Sequence, residues 1–108
     1  LGVLKRQLTK VLEKNFNKNN IIVAYEPIWS IGTGKIPTAS ELKKTTIHIK
    51  KVLKGIFKKN SPAVLYGGSV DGSNVEMFKE TREIDGFLIG GASKSSKKFI
   101  DIIKNYYR

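Results

Sequence analysis

The sequence contains no cysteine, which excludes disulfide bonds, thiol chemistry and thiolate metal ligands. Its apolar runs are all much shorter than the roughly 20 residues that a helix needs to cross a bilayer, and no signal peptide is visible. Acidic residues are few, with 9 against 20 lysines and arginines, and histidine occurs once. We therefore expect a cytoplasmic protein without a membrane partner.

The net charge of +11 is a reason to consider nucleic-acid binding, because clustered basic side chains are typical of proteins that contact a phosphate backbone. The lysines, however, are spread over every predicted helix, and no aromatic residues alternate with them as a base-stacking platform would require. We therefore interpret the basic residues as a solvated surface and expect no nucleic-acid partner. The alternative predicts an affinity that falls steeply with salt. The densest group comprises Lys50, Lys51, Lys54, Lys58 and Lys59.

Strand-like and helix-like patterns alternate along the chain. Short apolar stretches at residues 21–25, 63–66 and 86–89 predict strands, and apolar residues at helical spacing lie between them. The glycine pair Gly67 and Gly68 is predicted to turn the chain after the second strand. This alternation is typical of βα units with parallel strands, so it predicts an α/β fold in which the loops after all three strands share one rim. The unbroken apolar run at residues 21–25 predicts a strand that is buried on both faces.

Four helices are predicted from apolar spacing and capping residues. The second begins at a capping box from Thr38 to Glu41, the third at a similar box from Ser73 to Glu76, and the last after Ser95. The apolar residues that indicate these helices are Leu4, Leu8, Val11 and Leu12 in the first, Leu42, Ile49, Val52, Leu53 and Ile56 in the second, Val75, Met77 and Phe78 in the third, and Phe99, Ile100, Ile103, Tyr106 and Tyr107 in the last.

The segment Ala24–Lys35 is the clearest candidate for chemistry. Glu26 follows the first strand, and ligands of parallel sheets gather at the carboxyl ends of strands. The loop after Glu26 contains two glycines, which leave room for backbone amides to approach an anion. A glutamate that merely ends a strand beside a lysine is the ordinary alternative, and for a single glycine the alternative is a turn with positive φ. A carboxylate next to a phosphate-binding loop favours a reaction centre.

Three motifs occur in the order and spacing of a known family. Ala24–Lys35 resembles the catalytic-glutamate strand and mobile lid of triosephosphate isomerase, Leu65–Val70 resembles its phosphate-binding turn after strand seven, and Ile84–Ser93 resembles its strand eight and the following turn. The resemblance implies a carboxyl-terminal portion of a (β/α)8 TIM barrel, with strands six to eight and their helices. Since a complete barrel needs roughly 250 residues, residues 1–108 are expected to form a single incomplete segment.

The resemblance also implies roles for individual residues. Glu26 would be the catalytic base that interconverts dihydroxyacetone phosphate and glyceraldehyde 3-phosphate, in glycolysis and gluconeogenesis, without a metal or other cofactor. The residues implied to bind the substrate phosphate through backbone amides are Gly32, Ser69, Gly90 and Gly91. Those implied to form the lid and its hinges, or to contact them, are Pro27, Ile28, Trp29, Ile31, Thr33, Gly34, Lys35, Ile36, Pro37, Tyr66 and Leu88.

The chain also departs from the family pattern. Pro37 stands where the family commonly has a backbone N–H that donates a hydrogen bond to the tyrosine hydroxyl, here that of Tyr66. The catalytic lysine and histidine of the family fall outside these residues, and His48 is expected to be a surface or packing residue. The resemblance therefore implies an isomerase that needs its missing amino-terminal part and is a homodimer when complete. The alternative is an inactive fragment or phosphate-binding remnant, and open strand edges predict self-association of the isolated chain.

Overall fold

A computed structural model of the chain describes residues 2–12, 21–27, 36–58 and 61–107. The strands are β1 (Ile22–Tyr25), β2 (Ala63–Gly68) and β3 (Gly86–Ile89). The α-helices are α1 (Gly2–Val11), α2 (Ala39–Phe57), α3 (Val75–Lys79) and α4 (Ser96–Tyr106), and a 3-10 helix, Gly91–Lys94, precedes α4. The alternation of strands and helices confirms the predicted α/β class. No helix in these ranges combines the length and apolarity that a membrane crossing requires.

The three strands form one parallel sheet in the order β1-β2-β3. In the register, Tyr25 lies opposite Tyr66, and Gly67 of β2 lies opposite Leu88 of β3. Because parallel strands all end at the same edge of a sheet, the segments that follow β1, β2 and β3 share one rim. The prediction of three parallel strands is confirmed, and their numbering within a barrel stays a prediction.

The core lies between the helices and one face of the sheet. On that face Val64 and Tyr66 are fully buried, and the ring of Tyr66 packs against Phe78 with centroids 4.8 Å apart. Val23 and Tyr25 of β1 pack against the same core. The buried apolar residues are Leu42, Ile49, Leu53, Val64, Tyr66, Val70, Val75, Phe78, Ile84 and Ile102.

The opposite face of the sheet is exposed, so the prediction that the first strand is buried on both faces is wrong. Successive strand residues point to opposite faces. Ile22 is therefore 67% exposed although its neighbour Val23 packs on the core. Leu88 lies on the same open face and is 47% exposed. An apolar run alone does not distinguish a strand covered on one side from a strand covered on both.

Helix α2 begins where the sequence predicts. The hydroxyl of Thr38 accepts a hydrogen bond from the amide of Glu41 at 3.1 Å, which supplies an acceptor for an otherwise unpaired first-turn N–H. The set of α2 residues that are buried in the core, which we call the core stripe, differs in part from the predicted apolar residues. Thr46 is fully buried, and its hydroxyl donates to the carbonyl of Leu42 at 2.7 Å, so a polar residue can occupy this position. Two predicted stripe members, Val52 and Ile56, are only half-buried.

The other helices show where the apolar pattern misleads. In α1, Val11 is exposed although it fits the predicted spacing, while Leu4 and Leu8 pack on the core. Ser95 caps α4 as predicted, since its Oγ accepts from the amide of Lys98 at 3.3 Å. The buried residue of α4 is Ile102, which is 4% exposed. Most of the apolar residues that predicted this helix lie outside the core. Four of them are between 38% and 79% exposed, namely Phe99, Ile100, Ile103 and Tyr107.

Two predictions near β2 are wrong. Gly67 and Gly68 belong to the strand, which continues to Gly68, and do not form the turn that follows it. Ser73 does not cap α3, because the carboxylate of Asp71 accepts from the amides of both Ser73 (2.8 Å) and Asn74 (3.0 Å). The turn into α3 therefore starts two residues earlier than the sequence pattern predicts.

Asp85 is the residue before β3, and its contacts connect the start of that strand to β2 and α2. Its amide donates to the carbonyl of Val64 at 2.9 Å, its Oδ2 accepts from the amide of Val64 at 2.8 Å, and Nζ of Lys50 lies 3.2 Å from that oxygen. We expect Asp85→Ala to lower the free energy of unfolding by about 1–3 kcal/mol, because the part-buried Val64 amide loses an acceptor. Lys50→Ala is the control and should cost less than about 1 kcal/mol, because the ion pair is partly exposed. Equal losses in urea unfolding would contradict this interpretation.

Candidate active site

Glu26 lies at the carboxyl end of β1 with its side chain against Gly67 of the neighbouring strand. A Cβ atom added to Gly67 would lie 2.7 Å from Cγ and 2.9 Å from Oε1 of Glu26, which is closer than Cβ contacts found in proteins. Gly67 is opposite Leu88 in the parallel register, and paired residues point to the same face. Glu26 therefore lies on the exposed face of the sheet, on the side away from the helices.

Gly67 is a functional candidate that the sequence prediction missed. We predicted that the residue turns the chain after β2, whereas its missing side chain leaves the space that Glu26 occupies. The sequence shows the glycine pair but does not show which residue of β2 lies beside Glu26. That neighbour is set by the register between β1 and β2.

Tyr25, the residue before Glu26, points to the helix side of the sheet and packs against the core. Burial raises the pKa of its hydroxyl, the hydroxyl of Thr45 opposes this effect, and the charge of Glu41 adds to it. Tyr25 therefore remains neutral at physiological pH. At the end of β1, Glu26 is the titratable side chain on the open face.

Three of the predicted phosphate-binding residues line one cleft, which has a volume of about 610 Å³. Ser69 follows β2, and Gly90 and Gly91 follow β3. A Cβ atom at Gly90 or Gly91 would meet nothing within 4 Å, so the backbone of both residues is open to a ligand. Backbone amides that are free of obstructing side chains can converge on an anion. The structure thus brings together Ser69, Gly90 and Gly91.

Charged side chains also line the cleft. They come from the segment after β2, which contributes Asp71, and from α4, which contributes Lys98 and Asp101. Carboxylates repel an anion, whereas an ammonium group and amide donors attract it. Within the cleft, Lys98 and the amides of Ser69 and the two glycines would thus favour an anion, and the two carboxylates would oppose it. The described residues contain no group of three or more acidic or histidine side chains that could hold a metal ion.

The carboxylate of Asp71 is held in its charged form by its own turn. The hydroxyl of Ser73, 2.6 Å from Oδ1, is the main cause that lowers the pKa of Asp71; burial opposes the shift, and the amides of Asn74 and Ser73 support it. Because the pKa is lower in the folded chain, Asp71 stabilises the fold above its unfolded pKa, and this contribution is lost as the pH falls through its folded pKa.

We expect Ser73→Ala to raise the pKa of Asp71, because the variant loses the strongest hydrogen bond to the carboxylate. The pKa can be followed by NMR titration of the Asp71 side chain. Ser93→Ala is the matched control, since the hydroxyl of Ser93 donates to the carbonyl of Gly90 and not to a carboxylate. An Asp71 pKa that is the same in both variants would contradict the assignment.

The structure does not place Glu26 inside this cleft. At the end of β1, Glu26 and Pro27 border a separate cavity of about 320 Å³ that is lined mainly from the helix side, by residues such as Leu4 and Leu8. The carboxylate of Glu26 lies against Gly67 on the other face. The two sites are joined by β2, because Gly67 contacts Glu26 and the next residue, Gly68, lines the cleft of Ser69, Gly90 and Gly91. We call this cleft the anion cleft, after the ligand that we propose for it. The carboxylate and the cleft are thus neighbours at the end of one strand.

The remaining predicted residues divide into two groups. Pro27 and Pro37 are buried, Ile36 is half-buried, and Tyr66 lies in the core against Phe78. His48 is half-buried on α2, as expected of a packing residue. The predicted residues that lie outside the described ranges are Ile28, Trp29, Ile31, Gly32, Thr33, Gly34 and Lys35.

Comparison with known proteins identifies the family. Residues 1–106 match the family model described as triosephosphate isomerase. The chain belongs to the triosephosphate isomerase family. This confirms the resemblance that the three sequence motifs indicated, and the match extends over the glutamate strand and both glycine-bearing turns.

Individual members of the family show how much of the fold this chain represents. The triosephosphate isomerase of Saccharomyces cerevisiae is 42% identical over 97% of this chain, and that of Psychrobacter cryohalolentis is 47% identical over 94%. The crystal structure of triosephosphate isomerase from Bartonella henselae matches with a TM-score of 0.84 and 33% identity over 99% of this chain. The chain spans 43% of the yeast and Bartonella proteins and 39% of the Psychrobacter protein. Its sheet and helices correspond to part of a TIM barrel.

Proposed function

We propose that this chain supplies the catalytic base, the lid and the phosphate site of a triosephosphate isomerase. The observation that supports the proposal most strongly is the position of Glu26 against Gly67, two residues before Ser69 in the anion cleft. The reaction interconverts dihydroxyacetone phosphate and glyceraldehyde 3-phosphate, and it belongs to glycolysis and gluconeogenesis in the cytoplasm. The complete enzyme is proposed to be a homodimer.

In the proposed reaction, Glu26 removes a proton from the carbon beside the substrate carbonyl and returns it to the neighbouring carbon, while a proton passes from the substrate hydroxyl oxygen to the carbonyl oxygen. The amides of Ser69, Gly90 and Gly91, with that of Gly32 from the lid, bind the phosphate. The reacting carbons and the phosphate group are at different positions of one small molecule. The base therefore has to lie next to the phosphate site, and not inside it, to reach the reacting carbons. Binding the phosphate fixes the orientation of the reacting carbons toward the carboxylate.

The lid is proposed to close over Glu26 from the segment between Pro27 and Pro37. Ile31 and Leu88 would then exclude water from the carboxylate and make it a stronger base. The open face that carries Leu88 is available for such a contact, since this side chain is 47% exposed. Pro37 has no N–H to donate to Tyr66, so we propose that closure relies on Ser69 with Gly34 or on another partner of Tyr66.

A second function is favoured by one feature of the chain. Its single histidine lies on α2, away from the strand ends, so no imidazole stands beside Glu26 to polarise the substrate carbonyl. The 108 residues alone would then be a phosphate-binding remnant without turnover. Glu26-dependent isomerisation by the purified 108-residue chain would overturn this second function.

The experiment that tests the first function supplies the rest of the barrel. The amino-terminal part of the Saccharomyces cerevisiae relative is joined to this chain, and we call the product the completed barrel. Isomerisation of triose phosphates is measured for the completed barrel and for the 108-residue chain. We expect activity in the completed barrel. A completed barrel with a native circular dichroism spectrum and no isomerase activity would contradict the proposal.

A further inference from the structure

Asn74 holds the segment that connects β2 to α3 at two points. Its Nδ2 donates to the carbonyl of Ser69 at 3.0 Å, and its Oδ1 accepts from the amide of Asp71 at 2.9 Å. Asp71 makes the reciprocal contact, because its Oδ1 accepts from the amide of Asn74 at 3.0 Å. The arrangement is that of a capping box, with one further bond that extends to Ser69.

The partners of Asn74 require an amide. The carbonyl of Ser69 can only accept and the N–H of Asp71 can only donate, so the orientation of the Asn74 side chain is fixed by its neighbours. An aspartate has the same shape and keeps the acceptor for Asp71. Its second oxygen, however, would lie where Nδ2 now lies, 3.0 Å from the carbonyl oxygen of Ser69. Two acceptors at that distance repel each other.

The bond to Ser69 acts on a residue of the anion cleft. Ser69 follows the last residue of β2 and belongs to neither a strand nor a helix, and it lines the cleft with Gly90 and Gly91. The carbonyl of Ser69 lies in the peptide plane after this residue and its amide in the plane before it, and the φ and ψ angles of Ser69 connect the two planes. Fixing the carbonyl therefore limits these angles and, through them, the directions available to the amide. Asn74 is not among the residues that line the cleft, so it would act only through Ser69.

We propose that Asn74 is a positioning residue of the phosphate site, which holds Ser69 in the orientation that binds the anion. This inference rests on the proposed function, in which the amides of Ser69, Gly90 and Gly91 bind the substrate phosphate. It adds a residue that does not contact the substrate. The two hydrogen bonds of Asn74 require the natural amide and cannot both be made by a carboxylate of the same shape.

The test compares two variants of Asn74 in the completed barrel, with inorganic phosphate as the probe. Asn74→Asp replaces the bond to Ser69 with a repulsion, and Asn74→Ala removes the bond without adding one. The control is Thr46→Ala, which removes a side-chain hydrogen bond within α2, a helix that contributes no residue to the cleft. The measurements are the Kd for phosphate, the KM and kcat for triose phosphate, the NMR shifts of the Ser69, Gly90 and Gly91 amides on phosphate addition, and the unfolding temperature.

We expect Asn74→Asp to raise the Kd for phosphate and the KM about tenfold, because a bond of ordinary strength is replaced by a repulsion. Asn74→Ala should raise both about threefold, and Thr46→Ala should change neither by more than about twofold. The phosphate-induced shift of the Ser69 amide should decrease most in Asn74→Asp. The KM should change more than kcat, since Asn74 acts on binding and not on the base.

The contrary result is a lowered unfolding temperature in both Asn74 variants with phosphate affinity and KM equal to those of Thr46→Ala. Such a result would make Asn74 a purely structural residue and overturn the inference. Failure of the proposed function has another signature, because the completed barrel with Asn74 intact would then neither isomerise triose phosphates nor bind phosphate. That outcome would overturn both proposals.

Discussion

Glu26→Gln is expected to lower the kcat of the completed barrel by about 10²–10⁴-fold, which is the contribution of a well-positioned general base. Glutamine has nearly the shape of glutamate and fits the space beside Gly67, but it cannot accept the proton. The Kd for inorganic phosphate should remain unchanged, because Glu26 does not line the anion cleft. Steady-state kinetics and phosphate titration measure the two quantities separately.

The control for Glu26→Gln is Glu80→Gln, which removes the same charge from an exposed position at the end of α3. This variant should retain the kcat of the unmodified barrel. If Glu26→Gln also retained it, the role assigned to Glu26 would be wrong, whatever the phosphate affinity. If both kcat and phosphate affinity fell together, the separation of base and anion site would be wrong instead.

Gly67→Ala is expected to lower kcat about 100-fold without changing the chemistry of any functional group. The added methyl group would lie 2.7 Å from Cγ of Glu26, so the carboxylate has to move. A misplacement of about 1 Å is enough to cost this factor, because proton transfer depends steeply on geometry. The crystal structure of the variant should show the Glu26 carboxylate displaced, and kinetics should show the loss mainly in kcat.

Gly86→Ala is the matched control for Gly67→Ala. It adds the same methyl group to the same face of the sheet, where the nearest atom is Cδ2 of Leu65 at 3.1 Å. The end of a leucine side chain can move aside, so kcat should stay close to that of the unmodified barrel. An equal loss of kcat in the two variants would indicate that a glycine in the sheet is needed for folding, and not for the position of Glu26.

The elements of the fold were predictable where their signals are local. The caps at Thr38 and Ser95 involve residues three apart, and the alternation of strand and helix patterns needs no knowledge of tertiary contacts. The same local signal was ambiguous before α3. Both Ser73 and Asp71 fit a capping pattern there, and the structure uses Asp71 with Asn74.

The core and the site were less predictable because they depend on contacts between elements. The sequence of α4 offers several apolar residues, and only the packing of that helix on the sheet selects Ile102 for the core. Thr46 is buried through a bond to Leu42 that hydrophobic patterning does not consider. The relation between Gly67 and Glu26 depends on strand register. Ser69, Gly90 and Gly91 were predicted from family motifs; they share one cleft, and their role as phosphate ligands stays a prediction.

The central claim is that Glu26 and the amide-lined cleft act on one substrate from neighbouring strand ends. The most direct measurement is a crystal structure of the completed barrel with glycerol 3-phosphate, an unreactive analogue of the proposed substrate. We predict that the phosphate accepts hydrogen bonds from the amides of Ser69, Gly90 and Gly91, with the carbon chain directed toward the Glu26 carboxylate. A phosphate bound elsewhere, or a carbon chain directed away from Glu26, would contradict the account.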